Sequence, residues 1–205
     1  MKISLINAGK RFNREWIFRK VNYVFESGGR YAITGSNGSG KSTLLQAIAG
    51  AIAISEGQVD FSGQTGAIEA DNVFTRVSLC APYLELIEEM TALEFLQFHA
   101  RFKPLIPGYD PSRILDEMGL PHAAHKQIRY FSSGMKQRVK LAQAFYADTP
   151  VLLLDEPCTN LDQAGIDLYR HWIDTHGQHR LILVSSNDPQ EYAFCTEILS
   201  MNTWK

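Results

Sequence analysis

The stretch from Tyr31 to Gly50 sets more conditions on the fold than any other. It holds a short apolar run, Tyr31-Ala32-Ile33, then Gly35-Ser36-Asn37-Gly38-Ser39-Gly40-Lys41-Ser42-Thr43, then the helix-forming Leu44 to Ala49. In order this is strand, phosphate loop, helix, with Gly50 as a helix stop, and the pattern GxxxxGK[ST] is met in full. The glycines let the backbone turn tightly with N–H groups pointing inward, so a polyphosphate can rest on amide dipoles at a helix N-terminus. Lys41 then reaches the outer phosphates, and Ser42 offers its hydroxyl to a magnesium ion that offsets their crowded negative charge. The expected nucleotide contacts are Ser36, Asn37, Gly38, Ser39, Gly40, Lys41, Ser42 and Thr43.

Length and composition narrow the class. A chain of 205 residues, 45% of them hydrophobic, suits one domain with a sizeable core. A formal charge of −2 and a pI near 6.3 supply no basic footprint, so nucleic acid is not expected as a partner. Neither a signal-peptide segment nor a run approaching the ~20 apolar residues of a membrane span is present, which predicts a cytoplasmic chain. Cys80, Cys158 and Cys195 are widely spaced and without a CxxC, so they read as small neutral residues with no disulfide or zinc role. The six histidines, among them His122, His125, His171, His176 and His179, have no partners at ligand spacing and read as solvated surface.

Along the chain, Met1 to Ile6 and Val21 to Phe25 read as an antiparallel strand pair and Gly57 to Phe61 as a further strand. Phe12, Trp16 and Phe18 lie in this layer, where an aromatic ring serves either core packing or stacking on a base. Thr91 to Phe102 reads as an amphipathic helix with Thr91 and Glu94 as a capping box, Asp110 to Met118 as a second helix and Lys136 to Ala147 as a third. Val151 to Leu154 and Leu181 to Val184 are continuous apolar runs, the pattern of strands buried on both faces, with Ile166 to Thr175 as a crossover helix between them. Ligands of parallel sheets sit at the carboxyl ends of the strands, so Gly35 onward, Asp155-Glu156 and Asn187 should converge. An acidic residue there can hold magnesium, and a second carboxylate beside it can orient a water for attack on a γ-phosphate. Asp155 and Glu156 suit these two tasks.

At Tyr130-Phe131-Ser132-Ser133-Gly134-Met135-Lys136-Gln137-Arg138-Val139 the chain resembles the signature of ATP-binding-cassette (ABC) ATPases, LSGGQ followed by a basic residue, Gln and Arg; here it reads FSSGM. The resemblance covers nearly the whole chain in order: phosphate loop, signature, Val151 to Glu156, then Thr159-Asn160-Leu161-Asp162, similar to that family's D-loop. It implies an α/β fold of the P-loop NTPase, ABC ATPase type, with a mostly parallel core sheet, an antiparallel β layer and a helical subdomain. Residues 1–81 and 148–205 would form the nucleotide-binding core and 82–147 the helical subdomain of a single domain spanning 1–205.

The same resemblance implies ATP and Mg2+ as cofactors, with Ser42 and Asp155 on the metal and Glu156, Lys41 and Asn187 at the reaction. Ser132, Ser133 and Gly134 would contact the γ-phosphate held by an opposite subunit, and Phe12 stands about where this family places its base-stacking aromatic. Two departures stand out. Leu79-Cys80-Ala81-Pro82-Tyr83 occupies the place of a glutamine that contacts magnesium and the attacking water, and Asn187 the place of a switch histidine, so hydrolysis should be slow. The function implied is ATP binding and hydrolysis that energises a membrane transporter, in the export direction, through a separately encoded permease. The subunits would pair head to tail as a homodimer or heterodimer on ATP binding and lie peripherally at the inner face of the cell membrane. A catalytically weak ATP-binding regulatory module, or a soluble ABC protein outside transport, are the alternatives.

Overall fold

The computed structural model describes residues 1–63 and 66–205. Contacts gather the chain into two compact units, Met1–Leu79 with Pro150–Glu156 and His179–Lys205, and Cys80–Thr149 with Pro157–Gln178.

In the first unit, β1 (Lys2–Phe12) and β2 (Glu15–Phe25) form a long antiparallel hairpin, and β4 (Glu56–Gly63) and β5 (Gly66–Ala67) extend the sheet in the order β2-β1-β4-β5. Both hairpin strands run well beyond the apolar stretches that announce them. The register shifts between Leu5 and Arg11, so side-chain alternation breaks where the pairing continues. Asn7 and Lys20 take left-handed backbone, φ 46° and 53°. The Asn22 amide steadies the bend by accepting the Asn7 N–H at 2.9 Å and donating to Asn7 Oδ1 at 3.0 Å and the Lys20 carbonyl at 3.1 Å. Gly57 faces the same bend with φ 73°, and a Cβ there would stand 2.2 Å from the Asn7 carbonyl oxygen, so only glycine fits.

The second sheet of this unit runs β6 (Val77–Cys80), β7 (Val151–Asp155), β8 (Leu181–Ser185), β3 (Arg30–Thr34), β9 (Glu197–Ser200). The β7–β8, β8–β3 and β3–β9 pairings are parallel. Every residue of β7 and β8 is buried, as their unbroken apolar runs require. Ser185 pairs with Asp155 on one side and Ile33 on the other, so three strands end at one level. Helix α1 (Lys41–Ile48) follows β3 and sinks Leu44, Leu45 and Ile48 into a core shared with Ile3, Phe18, Phe25, Ile33, Leu153 and Leu183. Each such side chain contributes about 1.5–3 kcal/mol by leaving water.

The second unit is helical, with α2 (Ala92–Ala100), α3 (Pro111–Glu117), α4 (Ser133–Phe145) and α5 (Gln163–His176). The expected segment 82–147 lies within it, and the crossover helix α5 groups with it as well. The capping box of α2 is formed: Thr91 Oγ1 accepts the Glu94 N–H at 3.3 Å and Glu94 Oε2 accepts the Thr91 N–H at 2.8 Å. Asp110 caps α3 by accepting the Arg113 N–H at 3.0 Å. Helix α4 starts three residues earlier than its apolar face suggests, because Ser132 accepts the Met135 N–H at 3.3 Å and so sets the first turn. Phe145, Tyr146 and Trp172 pack together with ring centroids 5.5 to 5.7 Å apart.

Two histidines depart from the solvated-surface expectation. The His176 side chain is 7% exposed, packed 4.6 Å from the Tyr146 ring. His99 is largely buried, stacked on Phe95 at 6.5 Å. A charged imidazole loses its hydration there, so burial, reinforced by the Lys103 charge, pushes His99 down to about 4, against the opposing pull of the Gln143 backbone. An unfolded chain protonates this imidazole near pH 6.5 while the folded one resists, so stability is complete above that pH and is lost as pH falls from about 6.5 toward 4. Unfolding free energy should drop by about 2 kcal/mol more between pH 7 and 5 in the natural chain than in His99→Gln, as denaturant melts at the two pH values will show.

Candidate nucleotide-binding site

The aligned strand ends create the site. At the level of Ile33, Ser185 and Asp155, the chain leaves β3 into Gly35, β8 into Ser186-Asn187 and β7 into Glu156. The joints are tied by backbone bonds, Glu156 N–H to the Ser185 carbonyl at 2.9 Å and Ser186 N–H to the Ile33 carbonyl at 3.2 Å. The expected convergence of the phosphate loop, Asp155-Glu156 and Asn187 is therefore present, with Asn187 accepting the Gly35 N–H at 3.2 Å and donating to Asn37 Oδ1 at 3.1 Å.

Asn37 to Thr43 line a cavity of about 220 Å³ together with Ile17 and Glu156. Gly40 holds φ 100°, and a Cβ there would lie 2.3 Å from Ile17 Cγ2, so the loop passes directly beneath the hairpin. Lys41 is nearly buried and turns its Nζ back onto the loop, donating to the Gly35 carbonyl at 2.8 Å and the Ser36 carbonyl at 3.4 Å. Glu156 sits in left-handed backbone at φ 44°, costing on the order of 1–3 kcal/mol, a strain found where a side chain must be aimed. Asp155 is 1% exposed and its Oδ1 has no hydrogen-bond partner among the described residues. A buried carboxylate oxygen without a donor is unfavourable by itself and fits a cation or its water shell, so Asp155 with the Ser42 hydroxyl makes a donor set suited to magnesium. Bound there, magnesium would neutralise developing phosphate charge; the chain's own contribution is to hold those two oxygens.

The chain matches the ABC transporter family over residues 18–159. It belongs to that family. It is 30% identical over 204 residues to an uncharacterized ABC transporter ATP-binding protein, YybJ, of Bacillus subtilis, covering 98% of this chain and 92% of that one. With the cytochrome c biogenesis ATP-binding export protein CcmA of Agrobacterium fabrum it shares 31% identity, covering 92% and 90% of the two chains. Among solved structures, the ATP-binding cassette MJ0796, a dimer in a post-hydrolysis state bound to ADP and Pi, superposes with a TM-score of 0.79 at 23% identity over 97% of this chain and 93% of that one. This last likeness supports the fold alone. The chain is thus an ABC nucleotide-binding domain, with the P-loop fold expected from its resemblance.

Within this ABC domain the other expected residues are placed as follows. Phe12 stands at the end of β1, 51% exposed, with Lys10 Nζ 4.9 Å from its ring centroid. It is not among the residues lining the cavity; Ile17 is, a contact that the sequence did not announce, although its neighbour Phe18 points into the core. In the helical unit, Ser132 caps α4 and Gly134 is held close to the Asn160 carbonyl, where a Cβ would come within 3.0 Å. Gln137, buried, donates to the Pro157 carbonyl at 2.7 Å, and Arg138 reaches Asp162 at 2.8 Å. The Gly165 N–H, helped by Arg138, holds the Asp162 carboxyl below its ordinary range. The signature helix and the 157–162 segment are thereby one hydrogen-bonded piece. Ala81, just after β6, is completely buried, and among the described residues no helix is long and apolar enough to cross a membrane.

Asp155→Asn should raise the melting temperature of the nucleotide-free domain by roughly 2–4 °C, since a buried carboxyl group with one oxygen lacking a donor among the described residues is removed. Titrations of the same variant should show ATP affinity that no longer responds to magnesium. A fall in melting temperature would mean that the carboxylate is a structural group.

Proposed function

We propose that this domain is the ATP-binding and hydrolysing subunit of a membrane transporter, working in the export direction through a permease encoded as a separate chain. The observation that carries this reading is the joining of the phosphate loop and a strained Glu156 around one 220 Å³ cavity, with the buried Asp155 next to Glu156 at the end of β7. In this reading the loop amides from Gly38 to Lys41 hold the β- and γ-phosphates, and Lys41 leaves the Gly35 and Ser36 carbonyls to reach them. Ser42 and Asp155 hold magnesium, Glu156 orients the attacking water, and Phe12 stacks on the adenine. Ser132, Ser133 and Gly134 of a second copy close the site from the γ-phosphate side, which makes the active form a head-to-tail dimer, a homodimer or a heterodimer with a similar cassette. Support for export comes from the similarity to CcmA, named an export protein, and from Ser133-Gly134-Met135-Lys136-Gln137, which resembles the wording of exporter-type cassettes.

Turnover is slow in this reading. Ala81 has no side-chain oxygen for magnesium or water, and the neutral Asn187 amide neither carries positive charge nor shuttles a proton. Asn187→His should accordingly raise kcat severalfold. The permease meets the domain at the Pro82 to Met90 segment, holding it peripherally at the inner face of the cytoplasmic membrane. Tyr83 and Ile87 are exposed there, Leu86 is buried, and Pro82, Leu84, Lys136 and Lys140 help to line an open cavity of about 360 Å³.

Two measurements test the proposal. Glu156→Gln with saturating MgATP should shift the domain from monomer to dimer in light scattering while hydrolysis falls to background, because the water loses its base and the nucleotide stays trapped. A monomer with confirmed ATP binding sinks the sandwich, and wild-type turnover no faster than that of Glu156→Gln, with the permease present, replaces the enzyme by a regulatory ATP-binding module. Tyr83→Glu and Ile87→Glu should abolish co-purification with the permease and leave ATP affinity and melting temperature unchanged, whereas Leu86→Glu should lower the melting temperature.

A further inference from the structure

We infer that Asn187 is a positioning residue for the phosphate loop: its amide clips the first residues of the loop, Gly35 and Asn37, into the shape that receives phosphates. The inference rests on the reading of this cavity as a nucleotide site, and it assigns Asn187 a task in the loop itself. Both ends of the side chain are used, Oδ1 accepting the Gly35 N–H at 3.2 Å and Nδ2 donating to Asn37 Oδ1 at 3.1 Å. The residue is in turn anchored, since Ser186 N–H is bonded to the Ile33 carbonyl at 3.2 Å and Asp188 N–H to Ser186 Oγ at 2.9 Å. The clip thus ties a point 150 residues away in sequence to the loop by way of the aligned strand ends.

Its position explains why it matters. Gly35 is held twice, its N–H by Asn187 and its carbonyl by Lys41 Nζ at 2.8 Å. When Lys41 turns to a phosphate, the carbonyl tether is given up, and Asn187 alone of the two still fixes the start of the loop. Asn37 lines the cavity and Asn187 is not among its lining residues, so the amide braces the wall without filling the space a phosphate needs. The neutral amide accepts from Gly35 and donates to Asn37 without adding negative charge beside the loop, whereas a carboxylate at this position would repel phosphate. A brace of this kind acts on every nucleotide that sits in the loop, so its contribution is the same with or without a γ-phosphate.

The test compares MgATP and MgADP by calorimetry in wild type, Asn187→Ala, Asn37→Ala and the double variant, with hydrogen exchange of the Gly35 to Gly40 amides in nucleotide-free protein. Each single variant should weaken both nucleotides about fivefold, the double variant should lose less than the product of the two, and the Gly35 amide should exchange faster in Asn187→Ala. Loss confined to MgATP would make Asn187 a direct γ-phosphate contact and overturn the clip, as would independent effects of the two substitutions or unchanged exchange. Should the wild type bind neither nucleotide, the nucleotide-site reading fails, while the exchange rates still decide whether the clip exists.

Discussion

The parallel ladder of β7, β8 and β3 is the constraint on which the rest depends. Hydrogen bonding in register brings Asp155, Ser185 and Ile33 to one level, so three separate stretches of chain turn out of the sheet within reach of each other. A register slip on β8 would separate Asn187 from Gly35 and carry the Glu156 N–H away from the Ser185 carbonyl. The buried apolar faces of Leu153, Leu183 and Ile33 hold that register, and chemistry at the rim is therefore secured by packing in the interior.

The domain settles its charges internally, and unevenly. Lys41 donates to backbone carbonyls, and the Arg138–Asp162 pair ties helix α4 to the segment before α5. Asp155 Oδ1 and the Ser39 hydroxyl, by contrast, are buried with no partner among the described residues. A domain that keeps such groups unsatisfied is less stable than it could be.

Most of what places the site was legible in the residues. The phosphate loop announces its strand and helix, and Val151 to Asp155 and Leu181 to Ser185 are apolar enough to be recognised as buried strands. Strands β6 and β9 leave no signal in the sequence, because four residues each, Val77 to Cys80 and Glu197 to Ser200, are too short to establish a period. The hairpin outruns its sequence signal because irregularities at Asn7 and Lys20 break the alternation that marks a strand. The Asn187–Asn37 bond and the Gln137 link to Pro157 are invisible in sequence for another reason: they are products of register and helix placement, with no local pattern to betray them.

Strand β2 is the outer strand of its sheet, eleven residues long, and an unguarded edge of that length would invite a second chain to add itself by backbone pairing. The left-handed turn at Lys20 and the charged Glu15, Arg19 and Lys20 break that edge into pieces too short and too polar to serve as a template. At the other sheet, β9 exposes Ile198 at 63% but offers only four residues of ladder. Copies of this domain are thereby discouraged from fusing sheet to sheet.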